Sequence, residues 1–105
     1  MSLRVLMVTN MWPRPDRPAL GAFVRSQCRS LEALGVAVEV HVIEGDRGAA
    51  AYALDVPAVR RAVDVFRPDL VHAHYGLSGW TARWQPRPLV VSFCGDDLLG
   101  TPTAD

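Results

Sequence analysis

The chain has 105 residues, with 11 basic and 11 acidic side chains, no formal net charge, and 50% apolar residues. A chain of this length builds one domain with one core, burying roughly two-thirds of its unfolded surface, and its apolar half excludes intrinsic disorder. The balanced charge removes the counterion-release binding on which nucleic-acid partners depend, and no run approaches the about 18 apolar residues of a membrane span.

All eleven basic residues are Arg, and Lys is absent. With a single Ile and a single Asn, this reads as the codon usage of a GC-rich genome. Cys28 and Cys94 are too few for a disulfide framework. The first nine residues, interrupted by Arg4, are too short for a signal peptide. The expectation is a soluble protein of a reducing cytoplasm.

Residues 3–9 form a nearly continuous apolar run, as a parallel strand covered on both faces requires. Pro13, Pro15 and Pro18 then break regular structure. A helix is predicted over residues 19–34. Leu20, Phe23, Val24, Cys28 (beside Gln27), Leu31 and Leu34 line one face at the helical period, and Gly35 stops it. On that face Cys28 acts as a small hydrophobe.

Residues 36–43 read as a second strand. Its valines alternate with Glu39 and His41, so one of its faces is less buried; His41 fits a partly exposed strand position better than a ligand. Residues 45–48 read as a loop, and residues 49–54 as an unplaced earlier turn. A second helix is expected over Val56–Phe66, with Pro57 in its first turn and Val59, Ala62, Val63 and Phe66 inward.

Arg67 and Pro68 deliver the chain to a third strand around Leu70, Val71, His72, Ala73 and His74, ending at Tyr75 and Gly76. A short helix over residues 77–84 places Trp80 and Trp84 one turn apart as packing anchors. A fourth strand covers residues 89–93, between Pro88 and the Cys94-Gly95-Asp96-Asp97 run. Strands alternating with helices predict an α/β Rossmann-like parallel sheet with helices on both faces. The expectation is a single domain over residues 1–105, incomplete because only four strands are read in it.

The chemistry-bearing residues gather at strand ends, where open α/β sheets bind ligands. The first strand is followed by Asn10, Met11 and Trp12 rather than a G-x-G-x-x-G fingerprint, and a Walker-type phosphate loop is excluded without Lys. No G-x-S-x-G elbow exists. Gly21 opens the first helix and could let a ligand approach its positive end. A metal held by His72 and His74 needs a third ligand from Cys94, Asp96 or Asp97. A Cys94–His74 nucleophile pair lacks an oxyanion hole and an orienting group. Neither is favoured. His72 reads as a hydrogen-bonded core histidine, and His74, nearer the strand end, as the cleft-facing one.

Four segments in order resemble the N-terminal domain of GT-B glycosyltransferases of family 4. These are residues 4–9 with the proline-rich loop and Gly21; the helix-to-strand turn over residues 31–40; Arg67-Pro68-Asp69-Leu70-Val71-His72-Ala73-His74; and Pro88-Leu89-Val90-Val91-Ser92-Phe93-Cys94-Gly95-Asp96-Asp97. The resemblance implies a retaining, cytoplasmic enzyme that moves a sugar from a nucleotide diphosphate sugar to a hydroxyl acceptor without a required metal or other cofactor. It implies a backbone role for Gly21 near the donor, an acceptor-side position for His74 and Tyr75, and substrate contacts for Gly95 and Asp97. Cys94 stands where relatives carry a histidine that steadies developing charge, and a thiol does not reproduce an imidazole; no catalytic residue is assigned. The family's C-terminal donor domain with its E-x7-E signature is absent from these residues, so the isolated chain is expected to be inactive. The alternative is a non-catalytic α/β binding module completed by a partner chain, as in a split transferase. Peripheral membrane association is compatible with either reading, whereas nucleic acid is not an expected partner.

Overall fold

The computed structural model describes residues 3–93. In chain order it contains β1 (Arg4–Thr9), α1 (Ala22–Ala33), β2 (Ala37–Val42), a 3-10 turn at Gly45–Arg47, α2 (Ala50–Leu54), α3 (Val56–Phe66), β3 (Leu70–His74), α4 (Gly76–Ala82) and β4 (Leu89–Ser92). The four strands form one parallel sheet in the order β2-β1-β3-β4. Thr9 is paired with Val42 on one side and His74 on the other, so three strand ends finish level.

Strand alternation sends β1 side chains to two separate cores. Leu6 and Val8 join Tyr52, Val59, Val63, Val71, Ala73 and Ala82 beneath α2, α3 and α4. Val5 and Met7 join Val24 and Cys28 beneath α1. The chain is therefore an α/β sheet with helices on both faces, as the element order predicts. β1, buried on both sides, is the apolar run; β2 lies at an edge, which accounts for exposed Glu39 within its valines.

Several local expectations change. Helix α1 begins at Ala22 rather than residue 19, because residues 17–21 are bound in turns, with Leu20 N donating to Arg17 O and Ala22 N to Ala19 O. The proline-rich loop also carries a two-residue bridge between Arg14 and Arg17. Phe23 is 56% exposed and Leu34 80% exposed, so neither lies on the buried face. Val24 and Cys28 set that face; Leu34 follows the last helical turn, and Phe23 turns its edge toward His74, 6.2 Å between ring centroids. Residues 49–54 supply a short helix whose Tyr52 is a core residue.

Trp80 and Trp84 are not packing anchors. They are 40% and 47% exposed and meet only edge to face, centroids 6.1 Å apart, whereas Ser78, Gly79, Thr81 and Ala82 are buried. The cause is the closeness of α4 to the sheet. A Cβ on Gly79 would lie 2.9 Å from the Val91 side chain. Only small residues fit that interface, so the large ones turn outward.

The C-terminal end of α3 is fixed from β1. Arg4 donates through Nε to the carbonyls of Phe66 (3.1 Å) and Arg67 (3.3 Å), and through Nη2 again to Phe66. Its guanidinium also lies 4.3 Å from the centre of the Phe66 ring. A cation on the last carbonyls of a helix satisfies acceptors that have no partner within it and complements the helix dipole.

Candidate functional site

The topology singles out one crevice. From β1 the chain crosses to β2 over the α1 face, and from β3 it crosses to β4 over the α4 face. β1 and β3 are neighbours whose onward helices lie on opposite faces, which is the switch point outside which open α/β sheets bind ligands. The residues that end these strands, Thr9 with Asn10 and His74 with Tyr75, line it from both sides.

Thr9 turns the chain away from the sheet. Its Oγ1 accepts from Met11 N at 3.0 Å and donates to Met11 O at 3.2 Å, a side-chain-closed turn. Trp12 then packs back against the α1-side core. Gly21, with φ of 66°, caps α1 without any side-chain hydrogen bond. A Cβ there would stand 2.4 Å from the Met11 carbonyl carbon and oxygen. The space opened by its missing side chain is thus filled by the chain's own loop. Gly21 acts on the crevice by letting residues 10–12 close over the start of α1.

On the β3 side the two histidines stack, ring centroids 4.4 Å apart at 24°. His72 is half-buried and pairs through Nε2 with Ser92 Oγ at 2.7 Å, the hydrogen-bonded role expected of it. Burial lowers its pKa. His74 is only 2% exposed, more buried than His72 although it ends the strand. Residues of α1 shield it: Phe23 by its ring edge, and Gln27, whose Oε1 lies 2.8 Å from His74 Nε2. Burial, aided by His72, pushes the His74 pKa down to about 4.

Tyr75 is strained. It has φ of 81° and ψ of 139°, a region that L residues other than glycine rarely adopt. Such strain costs of order 1–3 kcal/mol and gathers at functional sites. Here it is held by Tyr75 N donating to Ser92 O at 2.9 Å and by a tilted ring contact with Tyr52 at 6.5 Å.

Three buried side-chain polar atoms among the described residues have no hydrogen-bond partner: Asn10 Oδ1, His74 Nδ1 and Ser78 Oγ. Asn10 follows β1, His74 ends β3 and Ser78 lies in the first turn of α4, so all three stand at the carboxyl end of the sheet, Asn10 turned to Tyr52 on one face and His74 to Gln27 on the other. Buried polar atoms are nearly always paired. These exceptions set the carboxyl end of the sheet apart from the rest of the described residues. Asn10 and Ser78 carry no motif, and a single sequence offers no signal that would have found them.

Elsewhere, His41 Nε2 lies 2.5 Å from Asp55 Oδ2, a bond that ties β2 to the α2–α3 junction, away from the crevice. Burial and nearby Glu32 raise the pKa of Cys28, keeping it an inert core thiol. Cys94, Gly95, Asp96 and Asp97 lie outside the described residues. Among the described residues, no group of three or more His, Cys, Asp or Glu could hold a metal, and no helix is long and apolar enough to cross a membrane. A depression of about 370 Å³ beside the end of β2, lined by Glu44, Arg47, Leu54 and Asp55 among others, contains none of the crevice residues. The chain matches no protein-family model, no curated protein and no solved structure. Its sheet architecture serves many unrelated activities, so function is argued from the site.

Proposed function

We propose that this chain is the acceptor-side Rossmann-like domain of a retaining GT-B glycosyltransferase of the family 4 type. It would contribute one wall of a cleft in which a sugar passes from a nucleotide diphosphate sugar to a hydroxyl, with the donor held by a second domain. The observation that carries this reading is the topological switch point between β1 and β3, where a strained Tyr75 follows a buried His74 whose Nδ1 is unpaired, beside Asn10 at the end of β1. The ordered segments that resemble the family supply the reaction class. His74 and Tyr75 are the acceptor-side residues, and Gly21 acts through the loop it admits. Gly95 and Asp97 are proposed substrate contacts, in a cytoplasmic enzyme without a required metal.

The isolated chain is expected to release no nucleoside diphosphate from any nucleotide sugar above a protein-free blank. The full gene product, assayed with a panel of nucleotide sugars and hydroxyl acceptors, is expected to transfer sugar. Absence of transfer across the panel, or turnover by the 105 residues alone, would overturn the reading.

A second reading, a non-catalytic module completed by a partner chain, is favoured by one feature. Leu77 and Trp80 on α4 and Trp84 just after it are large apolar residues left exposed, as are Val90 and Phe93 in and after β4, which is the last strand of the sheet among the described residues. Apolar surface beside an unpaired strand invites association.

A further inference from the structure

The open edge of β2 carries a self-complementary pattern. Ala37 N donates to Leu3 O at 2.9 Å, and Ile43 N to Thr9 O at 2.8 Å. Backbone groups alternate sides along a strand, so residues 37, 39, 41 and 43 direct theirs to β1, and Val38, Val40 and Val42 turn N–H and C=O outward. Among the described residues no strand takes these up, since β2 ends the order β2-β1-β3-β4. The usual guards of an open edge are missing as well. Pairing with β1 runs without a bulge from Ala37 to Val42, and the strand holds neither Pro nor Lys. Side chains alternate likewise. Val38 and Val40 pack toward the α1-side core, while Glu39 and His41 line a groove of about 340 Å³ beside α3, together with Arg61 and the 78% exposed Val65.

Val38-Glu39-Val40-His41-Val42 is symmetric in shape about Val40, with an acid on one side and a basic ring on the other. Antiparallel pairing with a second copy, about a two-fold axis at Val40, sets Val40 opposite Val40 and Val38 opposite Val42. Each of these pairs meets through its outward groups and exchanges two main-chain hydrogen bonds. Glu39 then stands opposite His41 of the second copy in a non-hydrogen-bonded pair, the closer of the two pair types, and its carboxylate enters the groove that Arg61 also lines. His41 reaches this seam already oriented, because Asp55 Oδ2 holds its Nε2 at 2.5 Å. Moving the axis one residue either way sets Glu39 against Glu39 or His41 against His41, which loses the match of opposite character. We propose that β2 is the seam of an isologous dimer of this chain, joining two four-stranded sheets into one continuous sheet with both α3 helices on the same face. The seam lies at the edge away from β4 and is independent of the transferase reading.

Sedimentation velocity and amide hydrogen exchange of the intact chain test it together. A dimer is expected in which the amides of Val38, Val40 and Val42 gain protection as concentration rises. Those of Ala37, Glu39 and His41, turned to β1, should be protected at every concentration. Val40→Pro removes an outward N–H and no bond to β1, so it should leave a monomer whose circular dichroism matches the parent. Glu39→Arg, an exposed change that decides the matter if proline distorts the strand, should weaken dimerisation about tenfold, because the two-fold axis counts the lost pair twice. Trp80→Glu with Trp84→Glu should leave the dimer in place. The proposal is overturned by a chain that stays monomeric at NMR concentrations, by a dimer whose Val38, Val40 and Val42 amides exchange freely, by a folded Val40→Pro dimer, by a Glu39→Arg chain that dimerises like the parent, or by a dimer that the tryptophan changes dissolve.

Discussion

At the residue scale, conformational demands and chemistry meet at Gly21 and Tyr75. Gly21→Ala places a methyl group 2.4 Å from the Met11 carbonyl at a left-handed φ. The Met11–Trp12 backbone must move, with a loss of roughly 2–4 kcal/mol, as expected for combined overpacking and backbone strain. Urea unfolding reads this loss, and an unchanged midpoint would refute the close approach. Tyr75→Gly acts in two directions, relieving about 1–3 kcal/mol of strain while deleting the ring that packs beside Tyr52. Stability is expected to change little, whereas acceptor-dependent activity of the full gene product should fall. A fall in stability of several kcal/mol with activity retained would assign Tyr75 to packing alone. The strain was not legible in the sequence: Tyr75 before Gly76 reads as an ordinary strand end, and only the requirement that β3 turn at once into α4 imposes its φ.

At the element scale, α3 and α4 show two ways of meeting a sheet. α3 buries Val59 and Val63 with Ala62 and Phe66 beside them, as its sequence period indicates, and its end is tied down by Arg4. Replacing Arg4 by Met keeps an unbranched apolar stem but removes the bonds to the carbonyls of Phe66 and Arg67. The expected cost is roughly 2–4 kcal/mol, the sum of a charged hydrogen bond and a dipole contact. It should appear as faster hydrogen exchange over the last turn of α3. Uniform exchange across α3 in parent and variant would refute the tie. α4 inverts the usual rule, because Gly79 brings its backbone so near Val91 that tryptophan is excluded from the interface. The spacing of Trp80 and Trp84 was readable; their direction was not, since it depends on the helix-to-sheet distance.

At the scale of the whole molecule, a neutral buried histidine joining β3 to α1 makes stability depend on pH. His74 has a folded-state pKa near 4, below its ordinary value of 6.5. Between those values the unfolded chain binds the proton and the folded chain does not. Stability is therefore full above about pH 6.5, declines as pH falls, and loses on the order of 3 kcal/mol by pH 4, where the His74 contribution levels off. Chemical denaturation across this range should show the decline, and it should shrink in His74→Gln. A decline of equal size in the variant would place the effect on other groups. The exposed tryptophans yield a second prediction at this scale. Trp80→Glu with Trp84→Glu should leave folding stability nearly unchanged, within about 0.5 kcal/mol per surface change. It should also abolish concentration-dependent association beyond the dimer in light scattering; larger assemblies that survive would place the contact surface elsewhere.

The sequence by itself determined the alternation of strands and helices, the double burial of β1, the less-buried face of β2 and the span of α3. Each of these is written in local periodicity, which one chain displays without reference to its neighbours. It also marked His72, His74 and Tyr75 as residues of a strand end. Tertiary structure alone decided that His74 is the more buried histidine, that Gly21 makes room for Met11, that Gln27 meets His74, and that Asn10 and Ser78 stand at the carboxyl end of the sheet. The reason is physical: burial and hydrogen bonding there depend on residues 47 positions apart in the Gln27–His74 pair and 42 apart in the Asn10–Tyr52 pair. Such pairings follow from strand order and register, which no local pattern encodes.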